Sequence, residues 1–233
     1  MTTVTNRNQA PRRMPSSRRF RPAARLLALL FVAGPVAGCT SQQLDSGLSP
    51  SFLIISSMRA ASGATPTEFG GVLPSDVITF VKQTIGQGDD AETTFIPTVF
   101  EDLLEATFDL GLKDPGTPDS PTRPTSANFI TVNRYRVEFF RADGRNTPGV
   151  EVPYPFDGAA TFTVSGPGAV GLVTLVRHQA KLEAPLAALA GGGGAVAISA
   201  IARVTFYGAD QAGREVSVTG QIGVNFADWG DPE

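Results

Sequence analysis

"VSVTGQIGVNF", residues 216–226, carries the clearest pattern in the chain. Val216, Val218, Ile222, Val224 and Phe226 fall on one parity, and Ser217, Thr219, Gln221 and Asn225 on the other. Successive side chains of a strand point to opposite faces, so this spacing predicts a half-buried antiparallel strand with the first set inward. Just upstream, "GADQAGRE" (208–215) predicts a type I turn closing at Gly213, and "AVAISAIARVTFY" (195–207) predicts the strand before it.

The same reading extends through the chain. "FLIISSMR" (52–59) predicts a mostly buried strand, and "DVITFVK" (76–82) another after a turn at Pro74-Ser75. "EATFDLGLK" (105–113) alternates, with Ala106, Phe108, Leu110 and Leu112 on one face and Glu105, Thr107, Asp109 and Lys113 on the other. "VFEDLLE" (99–105) reads as a helical turn leading into it. "DPGTPDSPTRPTS" (114–126) has four prolines and no large apolar side chain, and is a surface loop. "FITVNRYRVEFFR" (129–141) is a long strand ended at Asp143-Gly144. "ATFTV" (160–164) and "GLVTLVRH" (171–178) are read as a hairpin joined through "SGPG". "KLEAPLAALA" (181–190) predicts a helix that Pro185 limits to about two turns. "GGGG" (191–194) then connects it flexibly to the next strand.

About eight short strands with one short helix, and no alternation of strand with helix, predict an all-β fold. The architecture expected is an antiparallel β-sandwich of immunoglobulin-like or fibronectin-III-like appearance. Composition agrees: 233 residues are 42% apolar and 18% charged with 25 Gly and 18 Pro, which favours turns over a helical bundle. The Cys…Trp…Cys spacing of antibody-type domains is missing, and the single Trp229 follows the last strand, where it would cover the end of the sandwich.

The net charge of -3 conceals a split. Residues 1–38 contain seven arginines and no acid, so the 19 Lys+Arg and 22 Asp+Glu of the chain leave 12 and 22 beyond them, a net charge of −10. Phosphate binding relies on clustered Lys and Arg, and a body this acidic excludes nucleic acid as a partner. The arginines instead precede an apolar run, Leu26 to Val36, in the order of a secretory signal. That run is shorter than the roughly 20 residues needed to span a bilayer.

Val36-Ala37-Gly38-Cys39 ends the run with the only cysteine of the chain. It resembles the lipobox of bacterial lipoprotein precursors: a branched apolar residue, two small residues and the obligatory cysteine. The resemblance implies cleavage between Gly38 and Cys39, a diacylglycerol thioether on the Cys39 thiol and acylation of the new amine. Acyl chains on Cys39 would make the membrane a partner, since two or more chains hold a protein stably in a bilayer. Thr40, rather than Asp, follows the cysteine, which by the same resemblance favours the outer membrane. Ser17-Arg18-Arg19 is a poor match to a twin-arginine signal because Arg21 and Pro22 replace the apolar positions after it. Met14 offers a second start that gives a signal of ordinary length. The expected organisation is a signal peptide at 1–38, a lipidated tether at 39–51 and a β-sandwich at 52–233.

Chemistry-bearing residues are sparse. The single histidine, His178, has no Gly-x-Ser-x-Gly elbow to serve, and a lone His with a lipidated Cys cannot build an ordinary Zn or Cu site. "GGGG" lacks the Lys-Ser/Thr of a phosphate loop. Calcium needs only oxygen, so the acidic turns Asp89, Asp90, Glu92 and Asp228, Asp231 are the metal candidates, although neither has EF-hand spacing. Arg134 and Arg136 share a face and, with Arg141, are expected to pair with carboxylates. No cofactor is expected. The function expected is non-catalytic contact with a protein or glycan from a lipid-anchored envelope domain. The alternatives are a hydrolase using Asp102 with Glu105 or Asp109 as paired carboxylates, and an assembly subunit that pairs its carboxy-terminal strand with another chain.

Overall fold

A computed structural model describes residues 49–86 and 92–230. The signal segment, Gly38, Cys39, most of the tether, and Asp89, Asp90 and Asp231 lie outside the described residues. The described residues all belong to one compact unit, Thr40–Glu233.

The strands in chain order are β1 (Ser51–Ala61), β2 (Val72–Asp76), β3 (Thr79–Ile85) and β4 (Glu92–Thr98). Next come β5 (Asp102–Leu112), the two-residue strands β6 (Gly116–Thr117) and β7 (Ser120–Pro121), then β8 (Ile130–Phe140) and β9 (Phe156–Val164). β10 (Ala169–Val176), one helical turn α1 (His178–Lys181), β11 (Ile198–Asp210) and β12 (Glu215–Ala227) complete them. The protein is all-β, built from several sheets. One sheet has the order β1-β5-β10 and a second the order β2-β12-β11-β8-β9, while β3-β4 and β6-β7 are separate two-stranded pairs. Among the described residues no helix is long and apolar enough to cross a membrane.

The two larger sheets share one core. Leu104, Ala106 and Phe108 of β5 meet Ala202, Val204 and Phe206 of β11, all shielded from solvent. Phe108 bridges the sheets: its ring lies 4.9 Å edge-on from Phe206 and 5.1 Å from Phe162. Phe108 and Phe206 are fully buried, and each contributes about 1.5–3 kcal/mol through area removed from water. On β12, Ile222, Val224 and Phe226 are buried, Val216 and Val218 pack half-buried against the core, and Ser217, Thr219 and Gln221 face solvent. Gly220 breaks the series because Met58 of β1 lies over it, so close that a Cβ would collide with the sulfur. The turn before β12 closes with Gly213 at φ +81°, its N–H donating to the Asp210 carbonyl at 2.9 Å.

Several local expectations are corrected. Residues 99–101 form no helical turn; β5 begins at Asp102, and Asp102, Leu104, Ala106 and Phe108 are buried at period two between β1 and β10. Pro74-Ser75 is not a turn but part of β2, which pairs in parallel with β12, so the fold is not purely antiparallel. Proline is accommodated because β2 is an edge strand that needs no donor on its outer side. "SGPG" does not close a hairpin. β9 pairs with β8 and β10 with β5, so the chain crosses there between sheets. A turn signal reports a reversal of direction and not the sheet that receives the next strand. The predicted helix over 181–190 is one α turn ending at Lys181 and a 3₁₀ turn at Leu186–Leu189, separated by Pro185, which can neither donate nor fit a preceding turn. The first strand starts at Ser51, one residue before the expected boundary, where Ser51 Oγ donates to the Asn128 carbonyl at 2.7 Å.

Burial alternation on β12 can be tested by adjacent substitutions. Val224→Asp would place an unpaired charge where 1% of the residue is exposed, and should lower stability by at least about 3 kcal/mol. Asn225→Asp, one position on, should change it by no more than about 0.5 kcal/mol. Urea midpoints of the two variants check this, and equal midpoints would contradict the register.

Candidate functional site

Three carboxylates on β5 were candidates for acid–base work, and the strand separates them. Asp102 has even parity and points into the core, whereas Glu105 and Asp109 have odd parity and project from the outer face. Glu105 lies 3.7 Å from the Arg59 guanidinium, and Asp109 accepts the Gly168 N–H at 2.8 Å. Paired-carboxylate chemistry needs both groups in one concavity. These three do not meet.

Asp102 instead anchors a buried polar cluster that sequence reading did not anticipate. Its Oδ1 accepts from Lys181 Nζ at 2.8 Å and from the Gly63 N–H at 2.9 Å, and its Oδ2 accepts from Ser75 Oγ at 2.6 Å. The side chains of Lys181 and Asp102 are 1% and 0% exposed, which removes solvent as a partner. Burial pushes the Asp102 carboxyl above the ordinary carboxylate range, opposed by the Lys181 ammonium and by the donors Ser75 and Gly63. The folded chain thus holds a proton on Asp102 more readily than the unfolded chain. This group's contribution to stability is complete below the ordinary value of 3.8 and is lost as pH rises through its raised folded value.

The remaining predicted residues have structural partners. Asp228, a calcium candidate, accepts the backbone N–H of Gly191 at 2.7 Å and of Gly193 at 3.4 Å, which ties down residues 191–194. Glu92 sits at the start of β4, away from Asp228 in the fold. Among the described residues no group of three His, Cys, Asp or Glu side chains is placed to hold a metal ion. Arg134 and Arg136 share Asp157, at 2.8 and 2.7 Å, and Arg141 pairs with Asp143 at 2.8 Å. His178 is exposed at the start of α1. A depression of ≈ 250 Å³ lined by Pro50, Leu112, Lys113 and Thr122 falls below the size of ordinary ligand pockets.

The feature that stands out on the surface is the β3-β4 hairpin. Its seven-residue strands pair in register from Thr79↔Thr98 to Ile85↔Glu92 and with no other strand among the described residues. Val81 and Ile96 form a cross-strand pair on one face together with Ile85, while Phe80, Phe95 and Pro97 occupy the other. Val81, Ile85, Phe95 and Ile96 are between 39% and 60% exposed. An isolated two-stranded hairpin is at best marginally stable in water, and apolar side chains on both faces add to that liability. The buried strand expected over "DVITFVK" (76–82) is divided: Asp76 ends β2, Val77 and Thr79 are buried and Ile78 half-buried, and of this stretch only Phe80, Val81 and Lys82 of β3 are exposed.

The hairpin has a defined position. It is the excursion between Ser75 on β2 and Asp102 on β5, and the Ser75–Asp102 hydrogen bond closes its base. Beside it, Thr79 Oγ1 donates to Asp76 Oδ2 at 2.6 Å and the Trp229 N–H donates to Asp76 Oδ1 at 3.0 Å. The chain enters β1 at the other end of the sheet, because Ser51 pairs with Leu112 and Ala61 with Leu103. At roughly 3.3 Å per residue, the eleven residues of β1 separate the two ends by about 35 Å.

Comparison with protein-family models, with curated proteins and with solved structures gives no match. The site therefore rests on its own geometry.

Removing one member of a buried pair leaves the other charge without compensation. Lys181→Met should destabilise the fold by about 3–5 kcal/mol. Arg134→Met, at a half-exposed pair, should cost no more than about 1 kcal/mol. Denaturant midpoints measured side by side distinguish the two, and similar losses would deny the buried cluster its role.

Proposed function

We propose that the chain is a lipid-anchored lipoprotein of the bacterial cell envelope, held at the outer membrane by acyl chains on Cys39. Its folded part acts as a non-catalytic β-sandwich of immunoglobulin-like or fibronectin-III-like type that binds a partner protein through the β3-β4 hairpin. The observation that carries this reading is the hairpin itself, with apolar side chains on both faces and its outer strand edges unpaired among the described residues. Exposed edges supply backbone donors and acceptors in a row, which an extended segment of a protein satisfies by adding a strand. That favours protein over glycan, since sugars meet neither the apolar faces nor the register of the edge.

The position of the hairpin supports the same reading. A tether from Cys39 joins the domain at Ser49, and the hairpin projects from the opposite end of β1. A domain anchored in that way presents the hairpin away from its own membrane. The assembly alternative through the carboxy-terminal strand loses ground, because β12 is flanked by β11 and, over Gly223–Ala227, by β2.

Two expectations test the proposal separately. Cys39→Ala should move the protein out of the detergent phase on phase partitioning, or leave an uncleaved precursor; unchanged partitioning of a processed chain would refute the anchor. Val81→Lys with Ile96→Glu keeps a cross-strand pair while removing the apolar contact. It should leave the melting temperature within a few degrees and abolish the partner cross-link formed by the native chain in intact envelopes. Retention of that cross-link would refute the hairpin as the binding surface.

A further inference from the structure

We propose that the Lys181 amine and the Asp102 carboxyl condense within the folded chain to form an intramolecular amide bond. The reacting groups are in contact, with Nζ 2.8 Å from Oδ1, and both side chains are sealed from solvent. Holding an amine against a carboxyl in this way turns a bimolecular condensation into an intramolecular one. Excluding water favours the side on which water is released. Burial also leaves the ion pair without hydration, a cost that condensation to a neutral amide removes.

The donors around the carboxyl are arranged for this reaction. Ser75 Oγ, 2.6 Å from Oδ2, donates to the oxygen that bears the charge when Nζ adds to Cγ. The Gly63 N–H, 2.9 Å from Oδ1, steadies the oxygen that departs. Such preorganised donors act most strongly where water is absent. Atoms and protons balance without another reactant. One ammonium proton passes to Oδ1, and the Nζ lone pair then forms the bond to Cγ. A second proton passes from Nζ to the same oxygen, and the Cγ–Oδ1 bond breaks to release water. Oδ2 becomes the amide carbonyl and keeps the Ser75 hydrogen bond, while Nζ keeps one hydrogen. No bond is oxidised or reduced.

The product would link positions 79 residues apart in sequence and fix Asp102, at the foot of the β3-β4 excursion, covalently to the turn after β10. This inference stands independently of the partner-binding proposal, because it concerns the clasp beneath the hairpin and not what the hairpin touches.

The experiment is proteolytic digestion and mass spectrometry of the folded full-length chain. The expected result is a branched peptide joining the segments that contain Asp102 and Lys181, lighter than the sum of the linear peptides by one water. Lys181→Arg should lack it, and Ser75→Ala, which keeps both reacting groups, should accumulate it several-fold more slowly. Recovery of only the linear peptides from the native chain after prolonged incubation would overturn the proposal, as would a branch at any other lysine. The native digest decides the matter even where a variant fails to fold.

Discussion

A buried carboxylate can be kept in a β core only where fixed donors replace the water it loses, and Asp102 is kept by three of them. Ser75 comes from β2, Gly63 from the segment after β1, and Lys181 from the turn after β10. Edge strands of both large sheets are thereby tied to the first residue of β5, the centre of the smaller sheet. The cluster works as a clasp. With Ser75 and Asp102 joined, the chain between them can leave the body as a hairpin and return without loosening either sheet. Without the clasp, a polar hole would open beside Leu104 and Leu73, both wholly buried.

Around that clasp the fold divides its work in a physically simple way. Apolar area supplies the stabilisation, concentrated where Phe108, Phe162 and Phe206 interleave between sheets. Charges that face solvent are neutralised in short-range groups, such as Arg134 and Arg136 about Asp157. Carboxylates near loops accept backbone N–H groups and so fix turns, as Asp228 does for residues 191–194. Among the described residues the β3-β4 hairpin carries apolar side chains on two faces, and it is the surface on which the proposed function turns.

Much of this was legible in the sequence, and the reason is that strand alternation is local. Which residues of β5 and β12 face inward follows from parity alone, since the side-chain period of two holds wherever the strand pairs. The all-β character follows likewise from turn chemistry and period. The lipobox expected at residues 36–39 is a resemblance carried by four consecutive residues, which lie outside the described residues.

Everything nonlocal waited for the tertiary structure. "SGPG" reverses the chain whether the next strand stays in the sheet or crosses to the other, and only the partners of β9 and β10 decide. Lys181 read as one more charge on a short helix, and Asp102 as one carboxylate among several. Their meeting depends on two sheets closing over 79 residues of separation, which no spacing encodes. The apolar residues of β3 and β4 show the same limit. Apolar side chains of both parities normally mean cover on both sides, and whether cover exists is a property of the neighbours in space. Local periodicity therefore determined the long strands β5 and β12 and the residues they turn inward, while tertiary packing determined the pairing, the buried clasp and the exposure of the hairpin.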